Sequence, residues 1–221
     1  MSRTVAFFDF DGTLTRRDSL LPFLRYIVGS PQFFLRMLAL SPVLGGYAAK
    51  VVKNDIAKEI VLGRFLAGME IEELHRLGGK FARDKLPELV RSTGIERLRW
   101  HQSQKHMCVL VSASLDLYLK PWARDIGFDD FITSTLEVDG AGKVLGSLSG
   151  GNCFGAEKVK RIQTWLSGKQ VSMSYAYGDS AGDLPMLKLA NQGYLLRSGE
   201  FRLINDSGSS AVRGAWHQSL W

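Results

Sequence analysis

Asp9 and Asp11 stand two residues apart at the end of a short apolar run, Val5 to Phe8, and Gly12 follows them. Successive side chains of a strand alternate faces, so carboxylates two apart can enter one site. Two acids that close repel each other. They stay ionised only with a cation between them, or one of them takes up a proton. Mg²⁺ is the hard cation that such oxygen ligands suit. Gly12 allows a sharp exit of the backbone and bares N–H groups that an anion can approach. An ordinary acidic turn after a strand is the plainer alternative.

Other chemistry-bearing residues sit at comparable places. Ser112 ends the apolar run Val109-Leu110-Val111, and Asp179 and Asp183 follow Met173 to Tyr177 and Gly178. Taken alone, Asp183 reads as the N-cap of a helix, and Lys158 reads as a solvated surface lysine. Taken together they suit an anion: a dianionic phosphate among several aspartates needs a positive counter-charge besides a metal, and one lysine can supply it.

The elements that must position these residues form an α/β pattern with one interruption. Val5 to Phe8 carries no polar alternation, as in a central strand of a parallel sheet covered on both faces. Met107 to Val111, Met173 to Tyr177 and Tyr194 to Leu196 read as further core strands, and Phe131 to Val138 with Lys143 to Leu148 as a hairpin. Helices are expected over 95–105, 115–126, 157–166 and 184–189. Ligands in open α/β sheets bind at the carboxyl ends of strands, which is where Asp9, Asp11, Ser112 and Asp179 fall. Residues 16–90 are different, reading as helices throughout. Ser30-Pro31 and Ser41-Pro42 mark helix starts, and Tyr47, Val51, Val52, Ile56, Ile60 and Phe65 are expected to carry one continuous helix that Gly68 stops. A more polar helix covers 70–85. The expected division is a core of residues 1–15 and 91–221 and a helical unit of residues 16–90. No pattern places the chain beyond Ser198.

In their order, these groups resemble the four motifs of the haloacid dehalogenase (HAD) superfamily: Asp9-Phe10-Asp11-Gly12-Thr13, Ser112, Lys158 and Gly178-Asp179-Ser180-Ala181-Gly182-Asp183. The resemblance implies a Rossmann-like parallel sheet with an inserted all-helical C1 cap, as in the phosphoserine-phosphatase-like subgroup IB. It implies Asp9 as nucleophile, Asp11 as general acid/base, and Ser112 and Lys158 on the transferred phosphoryl group. Mg²⁺ would be held by Asp9, the Asp11 carbonyl, Asp179 and Asp183. Substrate contacts would fall on Gly12, Asp18, Ser112, Ala113 and Lys158. Four positions depart from phosphoserine phosphatases: Ala113-Ser114 stand for Gly-Gly, Gly182 for Asn, and Asp18 for Glu. They leave the chemistry in place and argue against phosphoserine as the substrate.

The chain has 221 residues, 45% hydrophobic and 23% charged, ordinary for a globular protein with one sizeable core. No secretory signal is read, and Cys108 and Cys153 suggest no disulfide framework, so a reduced cytoplasmic setting is expected. The net charge of +6 concentrates in residues 16–64, with eight basic residues against three acidic ones. No nucleic-acid motif accompanies it. Expected is a Mg²⁺-dependent hydrolase of a small phosphomonoester acting through an aspartyl phosphate. The rivals are a phosphomutase, a dehalogenase, which the acid at position 11 argues against, and a non-catalytic phospho-acceptor domain. A last reading concerns Leu20 to Val52, which is apolar with basic flanks. Met37 to Ala49 has no charge, yet its 13 residues reach only about 20 Å as helix, too short to span a bilayer. These residues are expected to fill the core of the helical unit. The alternative is peripheral contact with a membrane, on a loose resemblance to C-type phosphatidylglycerophosphatases.

Overall fold

A computed structural model describes residues 3–206; the core assigned to residues 91–221 therefore runs past the described part. Strand β1 (Arg3–Phe8) leads into helices α1 (Leu20–Val28), α2 (Ser30–Ala39), α3 (Ser41–Ala48), α4 (Asn54–Leu66), α5 (Ile71–Asp84) and the single turn α6 (Leu86–Leu89). The alternation then runs α7 (Ser92–Ser103), β2 (Met107–Leu115), α8 (Asp116–Asp125), β3 (Asp130–Val138), β4 (Val144–Ser149), α9 (Ala156–Leu166), β5 (Val171–Gly178), α10 (Leu184–Leu189), β6 (Gln192–Arg197) and β7 (Glu200–Asp206). The sheet order is β4-β3-β2-β1-β5-β6-β7. β3, β2, β1, β5 and β6 are parallel, and β4 and β7 close the two edges antiparallel. The chain builds outward from β1 first on one side, then on the other, so the topological switch lies beside β1, where crevices open at strand ends.

β1 sits at the centre because it is apolar on both faces. Ala6 and Phe8 enter one buried cluster, with α8 and the inserted helices. Val5 and Phe7 enter the other, beneath α9 and α10. β2 repeats the division, Cys108 and Leu110 on the first face and Val109 and Val111 on the second. Burying side chains of this size contributes roughly 1.5–3 kcal/mol each.

The inserted helices share the first cluster. Phe23 and Leu24 of α1, Leu62, Phe65 and Leu66 of α4, and Leu74 and Phe81 of α5 are buried with Leu117 to Leu119 of α8. Tyr118 packs its ring on Phe23 and Phe81, at 4.6 and 5.4 Å between centroids. Two expectations fail here. The helix expected from Tyr47 to Phe65 is broken: Lys50 takes a positive φ of 60°, and the N–H groups of Val51 and Val52 both fold back on the Gly46 carbonyl. Nor do the apolar residues of Leu20 to Val52 all fill a core. Leu40 is buried, but α2 and α3 bury no side chain, and Phe34, Leu35 and Leu38 are 60%, 70% and 71% exposed. The Ser-Pro pairs do start α2 and α3, although neither serine caps by its side chain; Ser30 Oγ accepts a bond from Arg25 Nε instead.

One buried polar group makes the fold sensitive to acid. His101 on α7 is fully buried, its Nε2 2.8 Å from the Tyr177 hydroxyl and its Nδ1 2.8 Å from His106 Nδ1. Burial first, then His106 and Arg97, push it down from 6.5 to about 3. Between these values the unfolded chain binds a proton that the folded chain refuses. The contribution is therefore whole above pH 6.5 and is lost as pH falls toward 3. Urea midpoints of the wild type are expected to drop on acidification more steeply than those of His101→Gln, whose side chain does not titrate. Parallel curves for the two proteins would contradict this assignment.

Candidate active site

Asp9 is the first residue beyond β1, its N–H bonded to the Tyr177 carbonyl at 2.9 Å. This bond ties it to the neighbouring strand β5. Its carboxylate is 6% exposed and fully engaged: Lys158 Nζ donates to Oδ1 at 2.5 Å, and the Thr13 hydroxyl to Oδ2 at 2.9 Å. Lys158 lies in the first turn of α9, 2% exposed rather than solvated, and also donates to Asp183 Oδ1 at 2.7 Å. Burial pushes Asp9 up, and Lys158 pulls it part of the way back. For Lys158 the order reverses. Burial would lower it, but Asp9 and Asp183 outweigh that and hold the ammonium charged.

Asp183 does not cap α10 by its side chain. Its second oxygen accepts from the Ser180 N–H and hydroxyl at 3.1 and 2.8 Å, which closes a capping box around the turn 181–183. Burial would raise it, yet Lys158 brings it below the usual range. Asp179 is half buried, reached by the Thr13 hydroxyl at 3.3 Å. Burial, then Asp183, raises it. Gly12 makes this arrangement possible. At its φ of +83°, a Cβ would lie 2.2 Å from Asp179 Oδ2. The N–H expected to be bare donates to Thr15 Oγ1 at 3.1 Å. Gly182 is a close approach too: a Cβ there would fall 2.3 Å from the Phe154 ring. In this chain, Phe154 takes the space a side chain at 182 would need.

Asp11 is held from a different direction. It lies in the turn beyond β1, and its carboxylate accepts from the Ser19 N–H at 2.7 Å and the Ser114 hydroxyl at 2.5 Å. These partners differ from the Lys158 and Thr13 that hold Asp9. Burial, then Asp18, lifts it to about 6 against the pull of Ser114 and Ser19. The Ser114 N–H bonds Ser112 Oγ at 3.0 Å, and the Ser19 hydroxyl lies 3.1 Å from Tyr118 Oη. Ser114, Ser19 and Tyr118 were not foreseen. The signal for Ser114 was in plain view, because it is one of the positions where the chain departs from Gly-Gly.

Asp9, Asp11, Asp18, Ser112, Ala113, Lys158 and Asp183 line one cavity of about 310 Å³, which Leu21, Leu44 and Tyr47 of the inserted helices also border. Asp18 is exposed at this cavity and accepts from the Leu20 and Leu21 N–H groups at 2.9 and 3.2 Å, at the start of α1. Sequence reasoning also missed Lys58. From α4 its ammonium reaches the Ala113 carbonyl and, at 2.9 Å, Asn152 Oδ1. Burial lowers it to about 8. The helical segment thereby places a cation in the cavity on the side facing Asp11.

Asp9, Asp179 and Asp183 each offer an oxygen, all within 4.8 Å of one another. Three hard carboxylate oxygens suit Mg²⁺, which completes its octahedron with water and ligand oxygens. The site as a whole presents an anchored carboxylate, a second carboxylate poised near neutrality, and a buried ammonium. Such a set can transfer an anionic group through a covalent carboxylate adduct.

Residues 6–188 match the sequence model of haloacid dehalogenase-like hydrolases. Protein CicA of Caulobacter vibrioides is 34% identical over 194 residues, covering 87% of this chain and 86% of the relative. A solved protein of unknown function from Bordetella pertussis Tohama I aligns with a TM-score of 0.75 and 26% identity, over 88% of this chain and 89% of its own. A phosphoserine phosphatase solved as a phospho-aspartyl intermediate analogue aligns with a TM-score of 0.57, over 88% of this chain and 86% of its own. At 16% identity that likeness is one of fold.

Proposed function

Because the chain belongs to the haloacid dehalogenase-like hydrolases, we propose that it hydrolyses a phosphomonoester through an aspartyl phosphate on Asp9. One observation carries the reading. Asp9 and Asp11 line the same cavity yet are held by separate sets of groups, Lys158 and Thr13 for one, Ser19 and Ser114 for the other. Two carboxylates in unlike surroundings can take two roles.

In the first step an Asp9 oxygen attacks phosphorus in line, the P–O bond to the leaving group breaks, and Asp11 protonates the departing alkoxide. In the second step Asp11 takes a proton from water. The water oxygen attacks phosphorus, phosphate leaves, and the Asp9 carboxylate is restored. Lys158 offsets one of the two charges of Asp9 and Asp183 and, with the Ser112 hydroxyl, spreads the charge on the phosphoryl oxygens. Asp9, Asp179 and Asp183, with the Asp11 carbonyl, would hold Mg²⁺, whose charge when bound offsets the negative charge of the phosphoryl oxygens. Residues 16–90 act as the cap in the manner of subgroup IB, over a core of residues 1–15 and 91–221, and select the leaving group. Substrate contacts are proposed at Asp18 and Ala113, which line the cavity, and at Gly12, which lies beside Asp179. The setting proposed is the cytoplasm. The neighbouring phosphoserine phosphatase supports the phosphoryl chemistry, and the departures at 113, 114 and 182 point away from its substrate.

Hydrolysis of a panel of phosphomonoesters is expected in Mg²⁺, to vanish on chelation and to return when Mg²⁺ is restored. Turnover by the fully chelated enzyme would overturn the site. Product analysis in the presence of sugar acceptors separates hydrolysis from phosphoryl return. Asp11→Asn is expected to slow the chemical step by about 10²–10⁴-fold, the usual acid–base contribution. An unchanged rate would remove Asp11 from that role.

A further inference from the structure

The exposed face of α2 and α3 lacks a partner within the described chain. Phe34, Leu35 and Leu38 share one face of α2 at 60%, 70% and 71% exposure. Tyr47 at the end of α3 and Val51 just beyond it add 44% and 81%. Apolar side chains gathered like this mark an interaction surface rather than ordinary scatter. The charge of the segment says what kind of surface. From Ser19 to Lys53 the chain carries Arg25, Arg36, Lys50 and Lys53 and no acidic residue at all. Arg25, Lys50 and Lys53 are exposed, and the Arg25 guanidinium lies 5.5 Å from the Phe34 ring centre, so cation and apolar contact occur together.

From this face we propose that the protein docks on an anionic lipid bilayer and that the cavity takes its phosphomonoester from that surface, the second half resting on the function proposed above. Short helices with bare apolar side chains and a marked excess of cations lie in the interface of anionic membranes, the apolar groups entering the acyl boundary and the cations meeting headgroups. Among the described residues no helix is long and apolar enough to cross a membrane, so the segment rests on the surface. Its neighbours open directly on the site. Leu21, Leu44 and Tyr47 line the cavity that holds Asp9 and Asp11. A phosphate carried at headgroup level therefore meets the cavity along the docked side. A second copy of the chain is the rival occupant. A two-fold contact sets one patch against itself, and here it would bring like cations together with no carboxylate on the segment to pair them.

Cosedimentation of the full chain with vesicles tests the docking. The wild type is expected to pellet with phosphatidylcholine vesicles containing about one quarter phosphatidylglycerol, less so in high salt, and to stay in the supernatant with phosphatidylcholine alone. Leu35→Ser/Leu38→Ser is expected to weaken binding roughly tenfold or more, while hydrolysis of soluble p-nitrophenyl phosphate stays at the wild-type rate. Lys50→Glu and Lys53→Glu are expected to weaken it about fivefold each. A wild type that ignores both vesicles, a double variant that binds as well as wild type, or a concentration-dependent dimer that the double variant dissolves would overturn the docking. Hydrolysis of phosphatidic acid in the vesicles tests the substrate. A loss in the double variant supports it, and an equal rate in both proteins overturns it. A protein that pellets with anionic vesicles and hydrolyses no phosphomonoester of any kind would overturn the phosphomonoesterase reading and keep the docking.

Discussion

Asp9→Asn is expected to abolish turnover while leaving the fold intact. The amide matches the carboxylate in shape, and its oxygen can still accept from Lys158 or Thr13, which hold the native side chain at 2.5 and 2.9 Å. What it loses is the anionic oxygen that must attack phosphorus. Removing a covalent nucleophile costs on the order of 10⁴-fold or more in turnover, because the remaining groups do not substitute for it. The stability change should be small. Lys158 keeps its bond to Asp183 at 2.7 Å, and the charge withdrawn from Asp9 was opposed by burial in the first place. Activity on p-nitrophenyl phosphate, measured beside thermal melting, checks both halves. A clean preparation that retains a tenth of the wild-type rate would rule out Asp9 as the attacking group.

Lys158→Met is expected to produce the largest loss of stability at the site, about 3–5 kcal/mol near neutral pH, the usual result of removing one partner from a buried ionic cluster. The methionine fills a similar volume, but Asp9 and Asp183 are left facing each other at 6% and 2% exposure. Their carboxyls should then take up protons more readily in the folded state than in the unfolded state. For an acid whose folded value is raised, stability is whole below the unfolded value and is lost as pH rises through the window up to the folded one. The deficit of the variant relative to wild type should therefore shrink on moving from about pH 8 to about pH 5. Adding Asp183→Asn should recover part of the loss at neutral pH, since one of the two stranded charges is gone. Urea unfolding of wild type, single and double variants measures this. If the single variant matches wild type at pH 8, the lysine is not the electrostatic centre of the site.

Much of the architecture was legible because strand and helix periods are local properties. Val5 to Phe8 announced a central strand by having no polar face, and the structure buries it on both sides. The hairpin around Asp139-Gly140-Ala141-Gly142 and helices α7 to α10 lie within a few residues of their expected bounds. β7 was not foreseen, because its pairing partner β6 supplies the order that its own pattern lacks. The continuous helix expected from Tyr47 failed for a related reason. Apolar spacing persists across Lys50 to Lys53, but the turn there is set by the return of two N–H groups to Gly46, a bond that spacing does not reveal.

The divide runs between composition and contact. Strand-end positions pointed to Asp9, Asp11, Ser112 and Asp179, while the resemblance to the haloacid dehalogenase motifs singled out Lys158 and Asp183 and implied the roles of nucleophile, acid, hydroxyl and counter-ion. Which carboxylate faces which partner depended on tertiary packing. Lys158 reads as a surface lysine until α9 buries it between Asp9 and Asp183. Spacing places Asp11 beside Asp9, but only packing shows that its carboxylate is held by Ser19 and Ser114, drawn from separate parts of the chain. Phe34, Leu35 and Leu38 read as core until the fold leaves them outside. Burial decides each of these cases, because the free energy of a charge or an apolar group depends on what surrounds it, and those surroundings come from residues far away in sequence.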